Sequence, residues 1–525
     1  MKNLPIGIQS FEKLRQGNYL YVDKTKEIHR LITSGQVYFL SRPRRFGKSL
    51  LVSTLESIFS GQKELFKGLW IEDKMDWAQL NHPVIRIDFG KTANRSPEEL
   101  VDSLTDFLRI TAEAYQINFI SSQLPGRFAE LIEKLHQTTG QQVVVLIDEY
   151  DKAIIDNMLN PEVQEANKNI LHDFYQVLKA TDEHLCFVFL TGVSKFSGMS
   201  IFSGLNNLND ITLTDDFAGI CGYTQQELED NFGERLHDLA NLFGVSNQAL
   251  LDKIRYWYDG YSWDGSTFIY NPFSTLSFFS AKRFDNYWFR TGTPTFLIEI
   301  LKKNNQIEPI LEPLIVNPSA FDSFNPQAIS EIPLLFQTGY LTIKHREMNF
   351  GEPTYTIGLS NSEVKESLLQ YLLSAYSYYP VEQEQALIRG MQKQLLAHDV
   401  GEFEKSLREM LAYIPYQLHI GQEKYYHSLL LLWLKLLGFD VSGEVSTNKG
   451  RIDAVWKLPE HTIIAEVKYQ VKKQALPKLL DAAIKQIREK HYAERFDAGV
   501  ETRHATSLLA IAFAGKEIGC RMENL

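Results

Sequence analysis

Cysteine is nearly missing from this 525-residue chain: Cys186, Cys221 and Cys520 stand far apart, without metal-ligand spacing. That excludes a disulfide framework and a cysteine zinc site. It fits a reducing compartment, so the cytoplasm is the expected location. Long hydrophobic runs are missing too. No stretch of about 18 uncharged apolar residues occurs, so no membrane-spanning helix is expected. The opening, from Met1 to Tyr21, lacks the apolar centre of a signal peptide. No internal repeat or low-complexity linker interrupts the chain. Positive charge is scarce overall, with a net charge of −11. The deficit is uneven: from Tyr416 onward the balance is +3, and the remainder carries −14. Phosphate contacts need local positive charge, so the C-terminal part is the better candidate for handling nucleic acid.

What is present is an ordinary globular composition, 44% hydrophobic and 23% charged. The length exceeds what one core supports, so about two to four domains are expected. Through the first 200 residues, apolar runs alternate with helical patterns. The runs are Val37–Leu40, Val84–Phe89, Val143–Ile147 and Cys186–Leu190. Continuous apolar runs of this length predict strands buried on both faces, and the helices between them predict parallel crossovers. The fold class is therefore α/β. From about Asp210 to Phe350 the pattern turns helical and aromatic, which predicts a packed helical core in preference to ligand stacking. Segments between Glu331 and Ile357 predict a short hairpin, and residues 362–417 predict amphipathic helices. The expected divisions are 1–210, 211–330, 331–415 and 416–525.

The first strand runs into Ser41-Arg42-Pro43-Arg44-Arg45-Phe46-Gly47-Lys48-Ser49-Leu50-Leu51. A Gly-Lys-Ser core between a buried strand and an amphipathic helix is the context of a phosphate-binding P-loop. Loop and helix N–H groups from Arg45 to Leu50 would hold phosphates, Lys48 would neutralise their charge, and Ser49 would ligate Mg²⁺. Arg42 replaces the usual first glycine. The third run ends in Asp148-Glu149, placing Asp148 to hold Mg²⁺ and Glu149 to polarise the attacking water. A strand ending in a solvated acidic loop is the alternative. The next strand ends in Thr191-Gly192-Val193-Ser194, so Thr191 and Ser194 are candidates to sense a γ-phosphate, with helix N-capping as the alternative. Arg44 and Arg45 are candidates for phosphate or for a neighbouring copy of the chain, with simple loop charge equally open.

Near the C-terminus, Gly450-Arg451-Ile452-Asp453-Ala454-Val455-Trp456 and Ile463-Ile464-Ala465-Glu466-Val467-Lys468 predict the two strands of a hairpin. Alternation places Glu466 and Lys468 on one face, and pairing can set Asp453 opposite. Carboxylates on one edge suit Mg²⁺ or Mn²⁺, while the lysine orients water or neutralises charge. The alternative is an amphipathic hairpin with a Glu–Lys pair on its wet face. Glu444 lies upstream. Gln486, on the helix that follows, either points at that edge or is solvated. A last apolar strand, Leu508–Phe513, completes the order α-β-β-β-α-β.

Together these segments resemble the AAA-ATPase-like family that carries a C-terminal PD-(D/E)XK nuclease domain. The resemblance runs through PIGIQSFEKLRQGNYLYVDKT, SRPRRFGKSLL, VVVLIDEYD, TGVSKFS, WYDGYSW, YNPFS, GRIDAV, AEVKY and KQIREKHYAERF, and so spans nearly the whole chain. It implies a P-loop NTPase sheet, a helical lid, a winged-helix-like connector and a restriction-endonuclease-like α/β domain. It implies ATP bound through Gly47, Lys48 and Ser49, with Asp148 and Glu149 in the Walker B role. For the nuclease it implies metal held by Asp453 and Glu466, Lys468 as catalytic lysine, and Glu444 as an accessory acid. DNA is the expected partner ahead of RNA, and a homo-oligomer is compatible. Two readings of function stand: a nuclease under nucleotide control, or a nucleotide-dependent switch or scaffold that binds a partner without cleaving.

Overall fold

The computed structural model describes residues 1–195, 205, 207–292, 313–322, 331–377, 381–412, 432–441, 451–457, 461–469, 475–489, 505–514 and 517–524. The chain divides into two compact units, Met1–Phe296 with Pro313–Lys365, and Leu297–Glu312 with Glu366–Leu525.

The first unit is built on a parallel sheet. Its strands are β1 (Val37–Ser41), β2 (Val84–Asp88), β3 (Val143–Asp148), β4 (Leu185–Gly192) and the short β5 (Asn209–Asp210). Their order is β2-β3-β4-β1-β5. Every residue of β1 and β3 is buried, as the unbroken apolar runs require when helices cover both faces. Each fully buried Val, Leu or Ile contributes about 1.5–3 kcal/mol. The parallel register aligns the strand ends, so Asp88 pairs with Asp148 and Ser41 with Gly192. Loops leaving those ends converge on one edge, the usual place for a ligand in such a sheet.

The aromatic-rich middle does pack as a helical core. Helices Gln225–Phe243, Asn247–Tyr258 and Pro272–Ala281 bury Leu228, Phe232, Ile254, Tyr258 and Phe279 in one cluster. Phe232 and Phe279 stack at 4.7 Å. A Thr224–Glu227 capping box starts the first of these helices, and Gly244 ends it in a left-handed conformation. The expected hairpin is β7 (Leu341–Asn349) with β8 (Glu352–Leu359), and it gains a third strand, β6 (Leu314–Val316).

The second unit holds a mixed sheet of order β13-β12-β11-β10-β9. The strands are β9 (Asp440–Val441), β10 (Arg451–Lys457), β11 (His461–Tyr469), β12 (Ala505–Ala514) and β13 (Glu517–Asn524). Strands β11 and β12 are parallel and the other neighbours antiparallel. Helix Leu476–Glu489 makes the crossover, packing Leu479, Ala483, Ile484 and Ile487 onto Val455, Ile464, Leu508 and Ala510. Strand β13 was not expected from sequence, because its EIGCRMEN is too polar to read as a buried strand; it is an edge.

Candidate functional site

The phosphate loop turns between β1 and helix Lys48–Phe59, whose N-cap Gly47 has φ +91°. Arg45 is also left-handed, at φ +68°, a conformation that non-glycine residues rarely hold without support. Lys48 is buried, and its ammonium donates to the carbonyls of Arg42 and Pro43 at 2.9 and 3.0 Å. Burial pushes its pKa down, while Asp148, Glu149 and Asp151 pull it back up. A buried cation so placed has a strong electrostatic demand for an anionic neighbour.

Arg42 is not part of this cup. Its guanidinium is fully buried and donates to the carbonyls of Ser41, Thr212 and Phe217. It lies 4.0 Å from the Trp263 ring centre, and burial pushes its pKa down to about 10. A side chain that ties β1 to the helical region explains why glycine is not needed there. Phe46 is likewise an anchor, edge-on to Tyr261 at 4.7 Å and to Trp263 at 5.4 Å.

Asp148 and Glu149 leave the end of β3. Asp148 is buried, bonded to the Ser49 hydroxyl, and pushed up in pKa by desolvation. Its Oδ1 has no hydrogen-bond partner. A hydroxyl and a buried carboxylate oxygen are the donor set expected for Mg²⁺, which takes few protein ligands and fills the rest with phosphate and water. That suits the finding that, among the described residues, no group of three or more His, Cys, Asp or Glu forms a metal cage. Glu149 stands at φ +55°, and burial raises its pKa. A Cβ on Gly90 would come within 2.9 Å of Asp88 Oδ1 and 3.1 Å of Glu149 Oε2, so glycine there lets two carboxylates close over the backbone.

The two sensor candidates are engaged within the protein. The Thr191 hydroxyl donates to the Leu40 carbonyl, and the Ser194 hydroxyl to Asp151 Oδ2 at 2.8 Å. Asp151 also accepts from the N–H groups of Val193 and Ser194. It binds the turn after β3 to the turn after β4, and sequence reasoning gave it no role. Asp88 was missed as well, though it ends an apolar strand just as Asp148 does. The loop faces a cavity of about 400 Å³, within the range of small-molecule sites. Arg45, Gly47, Lys48, Ser49, Glu149 and Asp151 line it, together with Ile8, Gln9, Tyr223, Phe273 and Leu276. Ile8, Gln9 and Phe273 fall within PIGIQSF and YNPFS, segments that carried the resemblance but had been given no role at a site.

Asp23 and Lys24 support this region from outside. Asp23 accepts from Thr25 and from the Trp70 N–H, while the Lys24 ammonium meets Glu227 at 2.7 Å and the Gly219 carbonyl.

In the second unit, β10 and β11 pair so that Asp453 lies directly across from Glu466, and Arg451 across from Lys468. Glu466 is fully buried, and its carboxylate meets the Lys468 ammonium at 2.8 Å. Period-two alternation puts these two on one face, as their spacing predicts. Lys468 also donates to Gln486 Oε1, so the helix glutamine does reach this edge. Burying a carboxylate beside an ammonium carries a desolvation cost that their attraction offsets only in part, and the oxygen donors suit a hard divalent cation. Glu444 lies outside the described residues.

Two family models match the chain: one described as a predicted AAA-ATPase over residues 5–202, the other as the PD-(D/E)XK nuclease superfamily over residues 421–522. The chain belongs to the AAA-ATPase-like family with a C-terminal PD-(D/E)XK nuclease domain. Among its relatives, a protein of Azotobacter chroococcum mcd 1, named an uncharacterized protein in vnfD 5'region, is 38% identical over 521 residues. The match covers 98% of this chain and 96% of that one. No helix among the described residues is long and apolar enough to cross a membrane.

Proposed function

We propose that the chain binds and hydrolyses ATP, and that its nucleotide state controls a Mg²⁺-dependent nuclease acting on phosphodiesters, DNA ahead of RNA, in the cytoplasm. The observation that carries this is the joint presence of both chemical sets in one chain. Lys48, Ser49, Asp148 and Glu149 converge at one sheet edge, and Glu466 and Lys468 meet beside the Asp453 position at another. The near full-length relative supports treating the two as one working unit.

At the nucleotide site, Lys48 neutralises phosphate charge, and Ser49 with Asp148 would hold Mg²⁺. Glu149, its pKa raised by burial, takes the proton of the attacking water. At the second site, Asp453 and Glu466 would hold Mg²⁺ or Mn²⁺, which supplies water activation and charge neutralisation when bound. Lys468, fixed by Glu466 and Gln486, orients the nucleophile and stabilises the charge building on phosphate.

A second reading, a nucleotide-dependent switch or scaffold that binds without cutting, draws on the net charge of −11. Incubating the full chain with plasmid DNA and Mg²⁺ or Mn²⁺, with and without ATP, separates the two. Metal-dependent cleavage that disappears in Asp453→Ala and Lys468→Ala supports the nuclease. Cleavage retained in both variants removes the assignment. A cleavage rate indifferent to ATP breaks the proposed control.

A further inference from the structure

Residues that no motif singled out hold the phosphate loop from behind. Trp288 is buried, and its indole N–H donates to the Arg44 carbonyl at 3.0 Å. The Trp288 backbone N–H donates to Glu363 Oε1 at 2.6 Å. Glu363 is itself fully buried and accepts from the Ser274 hydroxyl at 2.7 Å through its other oxygen. Gly339, at φ +91°, closes the same corner: a Cβ there would press within 2.8 Å of the Pro43 ring. Trp288, Gly339 and Glu363 all fall outside both matched spans.

We propose that Trp288 and Glu363 are positioning residues of the nucleotide site, holding the Arg44–Arg45 peptide in its phosphate-binding orientation. The inference rests on the nucleotide-binding reading given above. In a planar trans peptide the carbonyl and the following N–H point in opposite directions. Pinning the Arg44 carbonyl on the indole therefore turns the Arg45 N–H away from Trp288. It also holds Arg45, which lines the cavity, in its left-handed conformation. A phosphate loop binds through backbone N–H groups, so an element that orients a loop peptide sets affinity without touching the ligand. Burial pushes the Glu363 pKa up to about 7, consistent with a carboxylate held by its hydrogen bonds and not by a cation. Glu363 also opens helix Ser362–Ser377, and the boundary between the two compact units falls inside that helix, after Lys365. The loop's rear support is thus made by the first turn of the element that carries the chain onward.

The test is calorimetric binding of ATP with Mg²⁺ to the full chain, alongside its unfolding midpoint. Trp288→Phe keeps a ring against Tyr261 and Tyr340 but removes the indole N–H. It should weaken ATP binding about tenfold, the scale of one lost hydrogen bond to an obligatory group. Glu363→Ala should do the same, and Glu363→Gln, still an acceptor, should recover most of the affinity. A purely structural role would lower the unfolding midpoint in all three variants and leave affinity of the folded fraction unchanged, which overturns the proposal. If Trp288→Phe fails to fold, the contrast between Glu363→Ala and Glu363→Gln decides it alone, and equal affinities overturn it. Absence of ATP binding to the unmodified chain overturns the underlying reading instead. Loss of binding in Lys48→Ala with none in the Trp288 and Glu363 variants overturns only this inference.

Discussion

The parallel-sheet edge of the first unit and the β10–β11 hairpin of the second bring charge together by different means. At the first, loops from several strand ends converge, and the chemistry rests largely on backbone N–H groups and buried side chains with several partners each. Asp151 alone accepts three hydrogen bonds. At the second, one antiparallel register puts Asp453 across from Glu466, and alternation adds Lys468. The first site is over-determined by its surroundings, whereas the second depends on a single register. Removing one side chain should therefore act locally at the hairpin and spread further at the loop.

The largest effects test whether the two sites are chemically separate. Lys468→Ala should lower metal-dependent cleavage by about a hundredfold to a thousandfold, as loss of a main transition-state stabiliser does. It should leave ATP affinity unchanged. Lys48→Ala should weaken ATP binding by about a hundredfold or more, since a cation facing phosphate is lost. It should leave ATP-independent cleavage intact. Each variant measured in both assays gives the comparison four readings, and a Lys468 variant that also loses ATP binding breaks it.

A smaller effect sharpens it. Arg42→Leu removes a buried guanidinium and strands the carbonyl of Thr212, while that of Phe217 keeps the Ile220 N–H. Unsatisfied buried acceptors cost about 1–3 kcal/mol, so denaturant unfolding should show a loss of that size. ATP affinity should fall too, because the Arg42 side chain anchors the residue whose carbonyl accepts from Lys48. Lost stability with unaltered affinity would show that Arg42 supports the sheet and not the loop.

Much of this was legible beforehand, for identifiable reasons. Strands β1, β3 and β4 were readable because strands buried on both faces must be continuously apolar, whereas β2 is an edge strand whose burial alternates and was read from Val84, Ile85 and Ile87. Gly47-Lys48-Ser49 was readable because few residues permit that left-handed turn between strand and helix. The pairing of Asp453 with Glu466 followed from a hairpin only a few residues across. What escaped was non-local. Two of the carbonyls that hold Arg42 lie 170 and 175 residues away, and the carbonyl that Trp288 holds lies 244 away. Glu363 reads as one more acid near the start of an amphipathic helix, and only folding shows it buried. Strand β13 escaped for a different reason: an edge strand needs no apolar run.

The smallest expected effect concerns pH, and it asks whether dense burial of carboxylates belongs to the first unit's character. Burial raises Glu363 from 4.5 to about 7, with Asp285, Tyr258 and Tyr261 as its charged or titratable neighbours, and Asp259 is raised to about 6. Burial raises Asp148, Glu149 and Asp151 in the same direction. A carboxyl that binds its proton more tightly when folded makes the native state take up protons that the unfolded chain has released. Stability from such a group is therefore fullest at low pH and falls as pH rises, here between 4.5 and about 7 for Glu363. Asp264, held down to about 2 by hydrogen bonds from Ser266 and Thr267, acts oppositely but only in more acid solution. Unfolding of the full chain by denaturant at about pH 5 and about pH 8 reads the difference. Glu363→Gln should flatten that slope in the first transition, because the amide carries no charge to desolvate. An unchanged slope would mean that Glu363 stays ionised when folded, and that its hydrogen bonds outweigh its burial.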